Sequence, residues 1–180
     1  MRDKRAGHWL VSDTRFGAMV HAELGLAVEN SGKLVGKVRQ EARKLIEKSR
    51  VDLIITDGPP GIGCPAIATV TGADMVLAVV EPSISAMHDF ERLCGLCRHF
   101  RVPLVACINK ATLSPANTAS LRAKLAADDV PVVGEIPYDD VFRKAVQSGR
   151  TVMEAGNGTV QDGLRELWHN VSYLLGVNHK

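Results

Sequence analysis

The chain has no surplus of charge of one sign. Its 22 lysines and arginines face 20 aspartates and glutamates, leaving a net charge of +2. A protein whose main work is to grip nucleic acid needs a basic face to neutralise phosphates, and no dense basic stripe is present. Long hydrophobic runs are also missing. The longest, such as Met75 to Val80, fall far short of the ~20 apolar residues of a membrane span. The 4 cysteines, Cys64, Cys94, Cys97 and Cys107, lack the spacing of a disulfide framework, and no signal-peptide pattern precedes them. They read as reduced thiols of a cytoplasmic protein. One Cys-x-x-Cys, at Cys94 and Cys97, has no second pair to make a metal site, so buried, inert thiols are expected. There is no internal repeat, no low-complexity segment, and no Ser/His/Asp set with a glycine-flanked nucleophile.

What is present is an ordinary globular composition, 46% hydrophobic and 23% charged over 180 residues, enough for one domain with a sizeable core. Short apolar runs alternate with amphipathic helices. Strands are expected at His8–Ser12, Asp52–Thr56, Met75–Val80, Val102–Ile108 and Val130–Ile136, with a polar, glycine-bearing stretch from the first of these to Asn30. Ser31 opens a helix that places Leu34, Val38, Leu45 and Ile46 on one face. Its Lys37, Arg39, Arg43, Lys44 and Lys48 alternate with Glu41 and Glu47 and read as a solvated face. Further helices are expected near Pro65–Thr71, Ser85–Phe100, Pro115–Ala127, Asp139–Gln147 and Val160–Leu175. His88, Asp89 and Glu91 read as a solvated helix start rather than a metal site.

The strands are uniformly apolar, which means burial on both faces, and helices separate them. This predicts an α/β fold of three layers, a mostly parallel sheet flanked by helices. Ligands in such sheets bind beyond the carboxyl ends of the strands. The informative residues should therefore lie at Asp57–Gly63, Glu81–Ser85, Asn109–Thr112 and Pro137–Asp139.

The strongest of these signals is DLIITDGPPGIGCP, Asp52 to Pro65. An acid at the end of a hydrophobic strand can hold Mg²⁺, usually through water, beside a triphosphate. The stiff Pro-Pro-Gly that follows presents the backbone N–H of Gly61, and this glycine permits close approach to a γ-phosphate.

This segment resembles the Walker B strand and second switch loop of the MinD/ParA/Mrp group of P-loop ATPases, and in particular the MinD-like ATPases with an inserted ferredoxin domain. Other stretches agree in order: SDTRFGAMVHAELG (Ser12–Gly25), ENSGKLV (Glu29–Val35), TGADMVLAVVEPS (Thr71–Ser83), INK (Ile108–Lys110) and GEIPYD (Gly134–Asp139). The similarity runs from Gly7 to Glu154, with residues 155–180 forming a C-terminal helix and tail of the same single domain. The resemblance implies that Asp57 is the acid of the metal site. It implies further that Gly58, Pro59, Pro60 and Gly61 form the γ-phosphate sensor, that Asn109 reads the base edge beside Lys110, and that Pro137 and Tyr138 pack against adenine. Asp13 is placed in a first-switch or magnesium region.

The family's deviant glycine-rich Walker A loop, which carries two lysines, and the cysteine-rich inserted ferredoxin are both missing from this sequence. A phosphate loop needs G-x-x-x-x-G-K-[ST]. Gly32-Lys33 is followed by Leu34 and has Ala27 where the first glycine belongs; Gly36-Lys37 is followed by Val38 and has Ser31 there. The resemblance thus implies a P-loop NTPase-like fold lacking its P-loop strand, the C-terminal part of a longer ATPase. ATP and Mg would bind the complete protein, and an iron–sulfur cluster would sit on the missing inserted domain. This chain alone is expected to bind neither and to be inactive. The expected partners are the missing N-terminal segment or a partner chain, and a second copy in a homodimer, because a hydrophobic strand stripped of its neighbour is a template for pairing. A non-catalytic scaffold module and one chain of a split ATPase are the alternatives. An amide-forming activity, as in the cobyrinic acid synthetases that share this core, would need a glutamine amidotransferase part that is not in the sequence.

Overall fold

A computed structural model describes residues 7–24, 31–48 and 51–177. The chain divides into two compact units, Met1–Ala73 and Asp74–Lys180.

The first unit opens with an antiparallel hairpin, β1 (Gly7–Thr14) and β2 (Gly17–Leu24), in register from Gly7↔Leu24 to Thr14↔Gly17. The sequence reading anticipates β1 but leaves β2 as a polar stretch. GAMVHAEL has one β-branched residue, and it becomes a strand because the turn at Arg15–Phe16 folds it back onto β1. Thr14 Oγ1 secures that turn, accepting from the Phe16 N–H (3.1 Å) and donating to the Gly17 carbonyl (2.7 Å). Helix α1 (Ser31–Lys48) packs on the hairpin, with Lys37 Nζ 5.5 Å from the centre of the Trp9 ring.

Helix α1 also grips the short α2 (Cys64–Val70), and here the expected solvated face needs correction. Arg39 Nη1 donates to the carbonyls of Ala68 and Thr71, each at 2.6 Å, and Arg43 Nη2 donates to the Gly72 carbonyl at 2.8 Å. These guanidinium groups satisfy carbonyls that the end of a helix leaves unpaired. Lys37 and Lys44 do behave as surface cations, both pairing with Glu41. The expected strand Asp52–Thr56 does not form; residues 51–63 contain neither helix nor strand. A strand exists only through its ladder, and no described strand pairs with this segment, so Ile55 is left 77% exposed.

The second unit is a three-stranded parallel sheet in the order β3 (Val76–Val80), β4 (Leu104–Asn109), β5 (Val132–Ile136). Helices α3 (Ile84–Phe100) and α4 (Pro115–Ala127) cover one face, where Phe90, Cys94, Leu121 and Leu125 pack on Ala78, Val80, Ala106 and Ile108. The other face is covered by α5 (Val141–Gln147) and α6 (Thr159–Leu175), through Phe142, Val160, Leu167 and Val171. This is the three-layer α/β arrangement that the uniformly apolar strands predict. Between α5 and α6 a one-turn 3-10 helix, Val152–Glu154, is held by a capping box from Thr151. Among the described residues, no helix is long and apolar enough to cross a membrane.

Two glycines of α1 separate packing from propensity. A Cβ on Gly32 would lie 3.0 Å from Cys64 Cβ and 3.1 Å from its carbonyl oxygen, whereas one on Gly36 would meet nothing within 4 Å. Gly32→Ala is therefore expected to destabilise the protein by about 1–3 kcal/mol. Gly36→Ala should stabilise it by ~0.5–1 kcal/mol. Urea unfolding of the two variants checks both signs.

Candidate functional site

The three parallel strands end level with one another. Val80 pairs with Ile108, and Asn109 with Ile136, so Glu81, Asn109–Lys110 and Pro137–Tyr138 emerge together at the carboxyl edge of the sheet. They line a cavity of about 330 Å³ with Asp139, Asp140, Phe142 and Arg143. All four residues expected at the base end of the site, Asn109, Lys110, Pro137 and Tyr138, are gathered here.

The walls of this cavity are tied down. The Ala111 N–H donates to the Ile136 carbonyl (2.9 Å), joining the end of β4 to that of β5. Thr118, 2% exposed, donates from Oγ1 to the Ala111 carbonyl at 2.8 Å. The Tyr138 N–H donates to Thr112 Oγ1 (3.0 Å), and Asn117 Nδ2 donates to the Pro82 carbonyl (3.2 Å). The loops after all three strands are thereby held by hydrogen bonds to neighbouring elements. Tyr138 itself stays 53% exposed, its ring available to a ligand. Asp139 is spent on its own turn, where Oδ1 accepts from the Val141 N–H at 2.7 Å.

Within the cavity, Lys110 forms an ion pair with Glu81. The Asn109 Oδ1 accepts the Lys110 N–H at 3.0 Å. Nδ2 of Asn109 makes no hydrogen bond to a described residue. The sequence reading names Glu81 only as a position after a strand and misses Asp140, Phe142 and Arg143. The available signal was the chain returning into α5 directly after Pro137–Asp140.

The residues expected on the phosphate side lie in the first unit. Asp57, Gly58, Pro59, Pro60 and Gly61 form an exposed loop leading into α2. Gly61 has φ +84°, a conformation that L side chains rarely adopt. Gly58 has a packing reason as well: a Cβ there would lie 3.1 Å from Thr69 Cγ2, and the Thr69 rotamer is held by its bond to the Pro65 carbonyl (2.9 Å). Asp57 makes no hydrogen bond or ion pair to a described residue, so its lone pairs are unspent. That suits a magnesium ion held through water, which uses one or two carboxylates together with phosphate oxygens. Asp13 is exposed on β1, paired in register with Ala18. Among the described residues, no three histidine, cysteine, aspartate or glutamate side chains converge as a metal-binding group.

Cys94 and Cys97 are 3% and 1% exposed, on the buried side of α3. Burial raises both thiols, Cys97 to about 11, and Cys107 likewise reaches about 11. Burial of this kind is that of packed structural thiols.

Sequence comparison links the chain to longer proteins. No protein-family model matches it. It is 28% identical over 157 residues to an uncharacterized protein of Methanocaldococcus jannaschii, covering 87% of this chain and 51% of that protein. It is 26% identical over 125 residues to an uncharacterized ATP-binding protein of the same organism, covering 69% and 47%. A cytosolic Fe-S cluster assembly factor, the Nubp1 homolog of Drosophila ananassae, is 26% identical over 151 residues, covering 72% and 47%. The chain thus spans about half the length of the curated relatives it matches. Among solved structures, the septum site-determining protein MinD complexed with Mg-ADP from Pyrococcus horikoshii superposes with a TM-score of 0.68 at 20% identity, over 86% of this chain and 64% of that one. MinD in the MinC:MinD complex of Aquifex aeolicus gives 0.67 at 19% identity, over 94% and 68%. By sequence and fold the chain is similar to the MinD/ParA-type P-loop ATPases, whose α/β architecture it shares.

The thiols supply a direct check of this packing. In the native protein a thiol reagent such as DTNB should react rapidly with Cys64 alone, the exposed cysteine. Cys94, Cys97 and Cys107 should react only after denaturation. Rapid modification of Cys94 or Cys97 in the folded chain would show the packing of α3 to be wrong.

Proposed function

We propose that this chain forms the distal part of a Mg·ATP site in a MinD-type ATPase. The single observation that carries the reading is the cavity at the carboxyl ends of β3, β4 and β5, which gathers Asn109, Lys110, Pro137 and Tyr138 from two separate strand ends. In this reading Asn109 meets the edge of the base, and Pro137 with Tyr138 packs against its ring. Asp57 would hold magnesium through water, and in the Gly58–Gly61 loop the backbone N–H groups of Gly58 and Gly61 would face the γ-phosphate, Pro59 and Pro60 having none to give. The reaction is phosphoryl transfer to water, in which positioning and charge neutralisation supply most of the rate. A relative described as ATP-binding, and a structural neighbour complexed with Mg-ADP, support nucleotide as the ligand.

The lysine-bearing phosphate cradle comes from a segment outside residues 1–180, in the same protein or in a partner chain, because no G-x-x-x-x-G-K-[ST] lies within them. A place for it is open. Among the described strands β3 pairs only with β4, and Val79 on it is 61% exposed. An apolar strand with a free edge accepts another strand. Any iron–sulfur chemistry, suggested by the relatives named for cluster assembly, belongs with that same outside segment. The open edge also favours the second reading, an interaction module whose sheet is completed by a partner, a second copy of the chain among the candidates.

Calorimetry on the purified chain tests this division. Adenosine should bind weakly, and Mg·ATP no more than about tenfold more tightly, since the triphosphate lacks its cradle. Asp57→Ala should change neither. If Mg·ATP bound far more tightly than adenosine, and Asp57→Ala abolished the difference, a complete phosphate site would lie within these 180 residues, overturning the proposal of an outside segment.

A further inference from the structure

We propose that Glu81 is a positioning residue of the base cavity, acting through Lys110 to determine which atom Asn109 presents to the ligand. This rests on the reading of the cavity as a base site.

Glu81 follows β3 directly, one step beyond the pairing of Val80 with Ile108, and so stands beside the Asn109–Lys110 end of β4. Its carboxylate holds the Lys110 ammonium. Lys110 has φ +56°, in the left-handed region that a residue with a side chain rarely enters. Such a conformation persists when its surroundings over-determine it. Here the Lys110 carbonyl accepts from the Leu113 N–H (2.9 Å), the next residue is bonded to Ile136, and the side chain is tethered by Glu81.

The conformation matters because the Lys110 N–H donates to Asn109 Oδ1. A backbone N–H can be met only by the oxygen of a side-chain amide, so this one bond decides which way the amide faces. With Oδ1 held, Nδ2 is the atom left to donate, and Asn109 lines the cavity. The site therefore favours a ring whose edge carries an acceptor, as N7 does in adenine. Glu81 has a second effect: it neutralises the Lys110 ammonium, which would otherwise stand in the cavity as a competing donor.

The test compares adenosine with 7-deazaadenosine, which lacks that ring acceptor, in NMR titrations of the whole chain and of Glu81→Gln. The wild-type chain should prefer adenosine. Glu81→Gln should weaken adenosine by about three- to fivefold, the range open to a half-exposed ion pair, and bring the two affinities together. Without ligand, the Lys110 amide should exchange faster in Glu81→Gln while the Ile108 amide keeps its protection, showing that the sheet is intact. A Glu81→Gln chain with the wild-type preference and an unchanged Lys110 amide overturns the role of Glu81 and leaves the base site standing. A wild-type chain that binds neither nucleoside overturns the base site, and this inference with it.

Discussion

Strand β4 is the constraint on which the second unit depends. It is paired on both edges, by β3 and β5, and covered on both faces. Ala106 and Ile108 are 0% exposed and Cys107 1%. A strand in that position must be apolar throughout, because any polar side chain on it would be buried without a partner. Its polar residues begin only where the sheet ends, at Asn109 and Lys110. The same pairing that buries the strand therefore places the first available amide and ammonium groups beside Glu81 and Pro137. The cavity is a consequence of how the strands stop.

The first unit works differently. It has no buried parallel sheet among its described residues, and its order comes from one long helix with two partners. On the hairpin side α1 packs on β1 and β2 and sets a lysine over Trp9. On the other side its arginines cap α2, and Gly32 lets the two helices approach closely. Because α2 follows the Asp57–Gly61 loop directly, and Thr69 of α2 abuts Gly58, the loop is seated by α2 and α2 by α1. Charged residues that look solvated in a helical projection can thus be structural. The Arg39 and Arg43 side chains are long enough to reach the end of a neighbouring helix.

The sequence was most legible where one residue pattern admits one structure. The apolar runs at β3, β4 and β5 were readable because burial on both faces leaves no alternation, and the intervening helices because their apolar positions repeat at helical spacing. The grouping of Asn109, Lys110, Pro137 and Tyr138 followed from a general property of parallel sheets. Two segments resisted. GAMVHAEL became a strand through a turn that local propensity does not announce. DLIIT, with better strand composition, stayed unpaired because composition supplies a tendency and only a neighbour supplies the ladder.

By itself, then, the order of residues determined the α/β class, the helices and the carboxyl-edge positions at which chemistry was to be sought, since these follow from burial and periodicity along the chain. Tertiary structure alone decided which polar groups are spent and which are free. Arg39 is committed to the end of α2, Asp139 to its own turn, and Oδ1 of Asn109 to Lys110, while Nδ2 of Asn109 makes no hydrogen bond to a described residue. Hydrogen bonding is directional and short-ranged, so its allocation among residues far apart in sequence is settled only when the fold brings them within about 3 Å of one another.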